Sequence, residues 1–225
     1  MPRVLHLDCS EGITPEQVAA ALVDLGLAPS PIIFAVAPLS QLAELRFDRE
    51  PEGARVRIFA GPEPGPLLTL EEAVTRLRRG GLSPKALALA ETVLRRMAEA
   101  CEDAGEPFTL VEDEAPDSLL GIAAAAAALA EAAPDQVRAG RLEVGTDDLS
   151  GPLVVLLVEG LDHLHFDLDP ERPTSLGGAA LLDVLAGLGR LGDTEPPWRG
   201  FTAHGRGLDP LGSGRRLTVR LGEAL

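Results

Sequence analysis

The chain has 225 residues, 45% of them apolar, enough for one large or two small domains around a buried core, which excludes extensive disorder. Its 35 Asp+Glu against 20 Lys+Arg leave a net charge of -15, which repels phosphate backbones and anionic lipid surfaces and so excludes nucleic acid and membrane as natural partners. Two cysteines with no CxxC pairing exclude a disulfide scaffold and a thiolate zinc centre and fit a reducing compartment.

Along the chain, residues 4–7 read as a short strand. The turn-like Asp8-Cys9-Ser10-Glu11-Gly12 follows, then Thr14 as N-cap, Pro15 at the first helical position and an acidic first turn. Asp8 and Glu11 come before any apolar run long enough for a signal peptide, and no later run approaches the ~20 apolar residues of a membrane span, so a cytoplasmic location is expected. The helix over 15–25 places Val18, Ala21, Leu22 and Leu25 on one stripe and stops at Gly26. Strands are expected at 32–36 and 55–59, the second alternating Val56 and Ile58 with Arg55 and Arg57. GPEPGP at 61–66 reads as an exposed connector, a candidate subdomain boundary near 61–68.

Helices are then expected over 70–79, ended by Gly80-Gly81, and over 83–104, with Ser83 capping and Pro84 opening. A third, alanine-rich helix over 122–133 is expected to be largely buried against a core or a second subunit, as in a homo-oligomer. Beyond it, 142–144 and 163–168 read as strands, and 152–159 as an apolar segment of either type. A helix capped by Thr174 or Ser175 runs to 188, and an alternating strand covers 217–221. The fold class is therefore mixed α/β or α+β, one or two small mixed sheets covered by helices.

Several clusters could carry chemistry. Asp8 stands between a strand and a helix N-terminus, where both turn capping and site building favour an aspartate. The acidic run containing Glu112 and Asp117 precedes the alanine-rich helix, where its charge complements the helix dipole; its carboxylates also suit a hard cation such as magnesium or manganese, without the DxDxDG spacing that would specify one. His163 and His165 would share one face of a strand and, with Asp167, His204 or a carboxylate, form an imidazole site for nickel or zinc. The glycines between Gly200 and Gly214, with His204 and Arg206, read as surface turns rather than a phosphate loop, since neither GxGxxG nor GxxxxGK occurs.

Laid end to end, these motifs resemble one family. LDCSEGITPE from Leu7 to Glu16 resembles the opening LDxFSGISGDM of LarC-type nickel-insertion proteins, keeping Asp8, Gly12 and Ile13 and replacing the later Asp with Glu16; ALVDLG at Ala21 to Gly26 resembles the ALxDLG that follows. TLVEDEAPDSLLGI from Thr109 to Ile122 resembles HFHEVGAxDSIVDI, keeping Glu112, Asp117 and Ser118 without either histidine. Glu143-Val144-Gly145-Thr146 resembles PVGSG, Ser175 to Ala180 resembles TPTGAA, and Gly200-Phe201 through Glu223 resembles the closing GYGAG…NVLRVxLGE.

The resemblance implies that residues 1–225 correspond to the family's N-terminal region and that Asp8, Glu16, Glu112, Asp117, Ser118 and Gly200 line a ligand site. It implies a nickel chelatase, lyase-like role: inserting nickel into a pyridinium bis-thiocarboxylate mononucleotide at the expense of CTP. In this chain GPEPGP stands where the family has a histidine-rich insertion, and the chain ends where the family's CTP-binding domain begins. Three readings follow. One is a metal or nucleotide-like ligand held near Asp8, Glu16, Glu112 and Asp117; the second is a non-catalytic degenerate paralogue serving as a binding or assembly partner; the third is metal held by His163, His165 and His204.

Overall fold

The computed structural model describes residues 3–40, 43–59, 65–111, 117–140, 142–144, 150–158, 166–168, 174–187 and 198–224. Strand β1 (Arg3–Asp8) is next to the edge of a six-stranded sheet of order β2-β3-β9-β10-β1-β6, formed with β2 (Glu44–Glu50), β3 (Gly53–Phe59), β6 (Gln136–Ala139), β9 (Trp198–Leu208) and β10 (Arg216–Ala224). β1 pairs antiparallel with β10 and parallel with β6, so a strand that opens the chain is closed on one side by its last strand. Strands from both sides of the GPEPGP connector share this sheet; residues 61–64 of the connector lie outside the described residues. Two short pairs stand apart, β4 (Leu67–Leu68) with β5 (Leu110–Val111), and β7 (Leu142–Val144) with β8 (Phe166–Leu168). The observed class is the expected mixed α/β.

Helix α1 (Pro15–Asp24) lies on the sheet against β9 and β3, and α5 (Leu119–Ala132) lies on α1. Next come α4 (Pro84–Asp103), flanked by α3 (Leu70–Arg79) and α7 (Leu176–Gly187), and α6 (Ser150–Val158) against α7. α1 is sandwiched, so Pro15 through Val23 are all buried, including Glu16 and Gln17; the single apolar stripe expected from its sequence understates this. No described helix is long and apolar enough to cross a membrane.

Two expected elements differ. Residues 32–36 belong to a helix, α2 (Pro29–Val36): a proline at its start presets helical φ, and Ile32 and Val36, one turn apart, are buried while Phe34 is 77% exposed. The glycine-rich segment is mostly strand, with only 209–215 left as its turn, because its glycines are a packing feature. A Cβ at Gly205 would run into the Ala21 carbonyl and one at Gly207 into the Gln17 carbonyl, so the missing side chains let the α1 backbone rest directly on β9. The described part of the segment 152–159, through Val158, is helical and belongs to α6. β2 is a strand that sequence reading passed over: its ELRFDRE turns Leu45 inward and stands four charged residues in its outward positions.

Candidate functional site

At the C-terminal end of β1 the chain turns sharply at Asp8, whose Oδ1 accepts from Ser10 Oγ at 2.8 Å and from the Ser10 backbone N–H at 3.4 Å. Gly12 takes φ +83°, a conformation costly for a side chain, and its N–H donates to the Cys9 carbonyl at 3.0 Å. α1 then starts with a capping box: Thr14 Oγ1 accepts from Gln17 N–H at 3.1 Å, and Gln17 Oε1 from Thr14 N–H at 3.0 Å. With Gln17 committed to the cap, Glu16 turns the other way, toward the start of α5.

Glu16 is fully buried. Its Oε1 accepts from Ser118 Oγ at 3.1 Å and Ser118 N–H at 3.3 Å, and its Oε2 from Asp117 N–H at 3.4 Å. Ser118 Oγ in turn accepts from Gly121 N–H at 2.9 Å, capping α5. Burial, and then the negative charge of Asp117, push the Glu16 carboxyl up to about 7, against the lowering effect of these hydrogen bonds. Room for the carboxylate exists because residue 121 is glycine: a Cβ there would coincide with Glu16 Oε1. Gly121 is also where the resembled motif carries its last aspartate, so a longer acid at 16 occupies space vacated at 121.

Asp117 holds a left-handed φ of +70°, a strained conformation that aspartate tolerates better than most residues. This points its carboxylate at the start of α7. Oδ1 accepts from Ser175 Oγ at 2.5 Å, and the backbone N–H groups of Gly177 and Leu176 donate to the same carboxylate; burial nonetheless raises its pKa above the ordinary aspartate value. Ser175 closes the ring: its N–H donates to the Ile13 carbonyl at 3.1 Å and its Oγ accepts from Gly178 N–H at 3.0 Å. Three helix N-termini, α1, α5 and α7, are thus cross-capped through Glu16, Asp117 and Ser175.

Beside this ring lies a cavity of about 290 Å³ lined by Glu11, Thr14, Gln17, Asp117, Asp209 and Arg215, among others. A second cavity, of about 420 Å³, lies on the other side of Glu11 and is lined by Asp8, His204, Arg206, Arg216, Thr218 and Arg220 as well. Of the four residues expected around one cavity, Glu16 lines neither of these two and Glu112 lies outside the described residues. Glu16 and Asp117 meet directly, while Asp8 faces the second cavity and is approached there by Arg220 at 3.3 Å.

Glu112, His163 and His165 lie outside the described residues, as does the side chain of Asp167. His204 stands exposed on β9, opposite Arg220 of β10, and Gly200 lies in β9 close to where the β9–β10 register slips. Among the described residues no three His, Cys, Asp or Glu side chains gather closely enough to hold a metal ion. Cys9 is fully buried, and burial pushes its thiol well above the ordinary range, so it offers no ready thiolate. Sequence reading missed the joining roles of Ser175 and Glu11 and, in the second cavity, Arg216 and Arg220; Arg206 was noted only as part of a surface turn. The alternation of Arg216, Thr218 and Arg220 along β10 was the signal for the other two.

The chain is 29% identical over 249 residues to the "Putative nickel insertion protein" of Geobacter sp. (strain M21), covering 98% of this chain and 62% of that relative's length. No solved structure matches it. The family model described as nickel insertion protein matches residues 5–151, more than half of the chain and the part that contributes Glu11, Glu16, Asp117 and Ser118, and the chain accordingly belongs to the nickel insertion protein family.

Proposed function

We propose that this chain works in nickel insertion during maturation of a nucleotide-type nickel cofactor, with the cleft on both sides of Glu11 receiving the nucleotide-like ligand and nickel arriving as cargo. One observation carries the reading. Residues of motifs far apart in the chain, Glu16, Asp117 with Ser118, and Ser175, are hydrogen-bonded to one another beside the turn after β1. Such convergence rigidifies the rim of a cavity that presents carboxylates of Glu11, Asp117 and Asp209 with the guanidinium of Arg215 among them.

Chemically, this rim offers oxygen donors for a divalent ion in transit rather than a closed cage, which suits delivery more than storage. The raised pKa of Glu16 beside Asp117 gives the pair a proton to release near neutral pH, and its loss would increase the negative charge behind the cavity as a cation enters.

The test is isothermal titration of metal-free protein with nickel, magnesium and manganese, with native mass spectrometry of the purified protein for a retained small molecule. The expected result is stoichiometric nickel binding, weakened about tenfold or more by Asp117→Asn, a loss of roughly 1.4 kcal/mol. A second reading, a non-catalytic assembly partner, is favoured by Thr109 and Val111 standing where the resembled motif has its two histidines. No binding of any cation, with a protein partner retained instead, would select that reading.

A further inference from the structure

The sheet face turned away from α1 carries a cationic group that neither the capping ring nor the acidic cavity uses. Gly205 and Gly207 face α1, so His204 and Arg206 point to the opposite side of β9. The ladder sets Thr218 across from Arg206 and Arg220 across from His204, and on the next strand Asp8 lies across from Thr218. Arg216 and Arg220 are the diagonal neighbours of Arg206, a separation of roughly 7–8 Å between strand positions.

The charges do not balance. Asp8 pairs with Arg220 at 3.3 Å and Glu11 with Arg216 at 3.9 Å, whereas no carboxylate among the described residues pairs with the Arg206 guanidinium. Three guanidinium groups therefore stand against the two carboxylates of Asp8 and Glu11 in the same lining, an excess of one positive charge in a chain whose net charge is -15. They line a cavity of about 420 Å³ along with Thr218 and Ser10, within the size range of small-ligand sites. Arginine forks with neighbouring hydroxyls are the donor set that fits phosphate oxygens, and the acidic remainder of the molecule disfavours a polyanion there.

From this we propose that the cavity binds the phosphoryl group of a small phosphate ester, with Arg206 as its main ligand and Arg216 and the Thr218 hydroxyl beside it. The proposal rests on the nucleotide reading above and deepens it by naming the group that is held. Glu11 lines both cavities, so a ligand anchored by its phosphate on the sheet face extends past Glu11 toward Asp117, which keeps the cationic anchor apart from the end that meets a metal.

The experiment titrates the full chain, free of metal, with ribose 5-phosphate and separately with ribose. Binding of the phosphate and not of the sugar is expected, tenfold or more weaker in Arg206→Gln and Arg216→Gln, unchanged in Arg46→Gln on the distant β2, and several-fold tighter in Asp8→Asn, where Arg220 is released. Thermal melts establish that each variant is folded. Equal binding of ribose, no binding of either compound, or binding indifferent to both arginine variants would overturn the proposal. Because nickel is absent from this titration, phosphate binding without nickel binding would sink only the insertion reading, and nickel binding without phosphate binding only this one.

Discussion

Glu16 is an acid placed where only a rigid set of donors makes it tolerable. Its hydrogen bonds from Ser118 and Asp117 compensate part of the desolvation, and the remainder appears as a carboxyl pushed up to about 7. A raised carboxyl binds its proton more tightly in the folded than in the unfolded chain. The associated stability is fully present below the unfolded value of 4.5 and is lost as pH rises through about 7. The loss is on the order of 3 kcal/mol. Glu16→Gln keeps the shape without the titration, so urea unfolding at about pH 5 and about pH 8 should show a shallower decline than in the native chain and a more stable variant at the alkaline end. Equal declines in the two proteins would assign the pH dependence to another group, Asp117 being the first to examine since its pKa is raised too.

At the scale of elements, α1 rests directly on β9. Helix and strand normally keep a layer of side chains between them, but here Gly205 and Gly207 bring strand backbone against the carbonyls of Ala21 and Gln17. The contact sets the height of α1 and, through Glu16 and the Ile13 carbonyl at its N-terminus, the positions of α5 and α7. Gly207→Ala would force α1 outward and is expected to cost about 3 kcal/mol, read as a lowered urea midpoint with an unchanged slope. An unaltered midpoint would mean that α1 can lift without disturbing the ring. α2 teaches a related lesson: its apolar run has strand composition, yet the proline ahead of it and the inward positions of Ile32 and Val36 make it helical.

For the whole molecule, the net charge of -15 acts as self-repulsion that the compact state must withstand. Raising salt from about 0.01 M to about 0.5 M shortens the screening length several-fold, so Tm should rise by a few degrees. A fall in Tm would indicate that local ion pairs such as Arg96 with Asp183, at 2.5 Å, outweigh the general repulsion. The same imbalance makes the arginine group on the open sheet face conspicuous, because a chain so acidic gathers cations in one place only against its overall field.

Much was legible without coordinates. Caps and breakers are local, so Thr14-Pro15, Ser83-Pro84 and Gly80 marked helix ends close to where they fall, and alternation marked β3 and β10. The linear order of motifs also led to the right family. What sequence alone could not supply was contact across distance. Glu16 and Ser118 meet only because α5 packs on α1, and Asp117 reaches Ser175 only because α7 starts beside that junction. Asp8 and Asp117, both legible as candidates, fall in separate cavities, while Arg206 and Arg216 become neighbours by ladder register alone. The physical reason is that capping and alternation depend on residues a turn or two apart, whereas register, burial and shared charge depend on which surfaces the folded chain brings together.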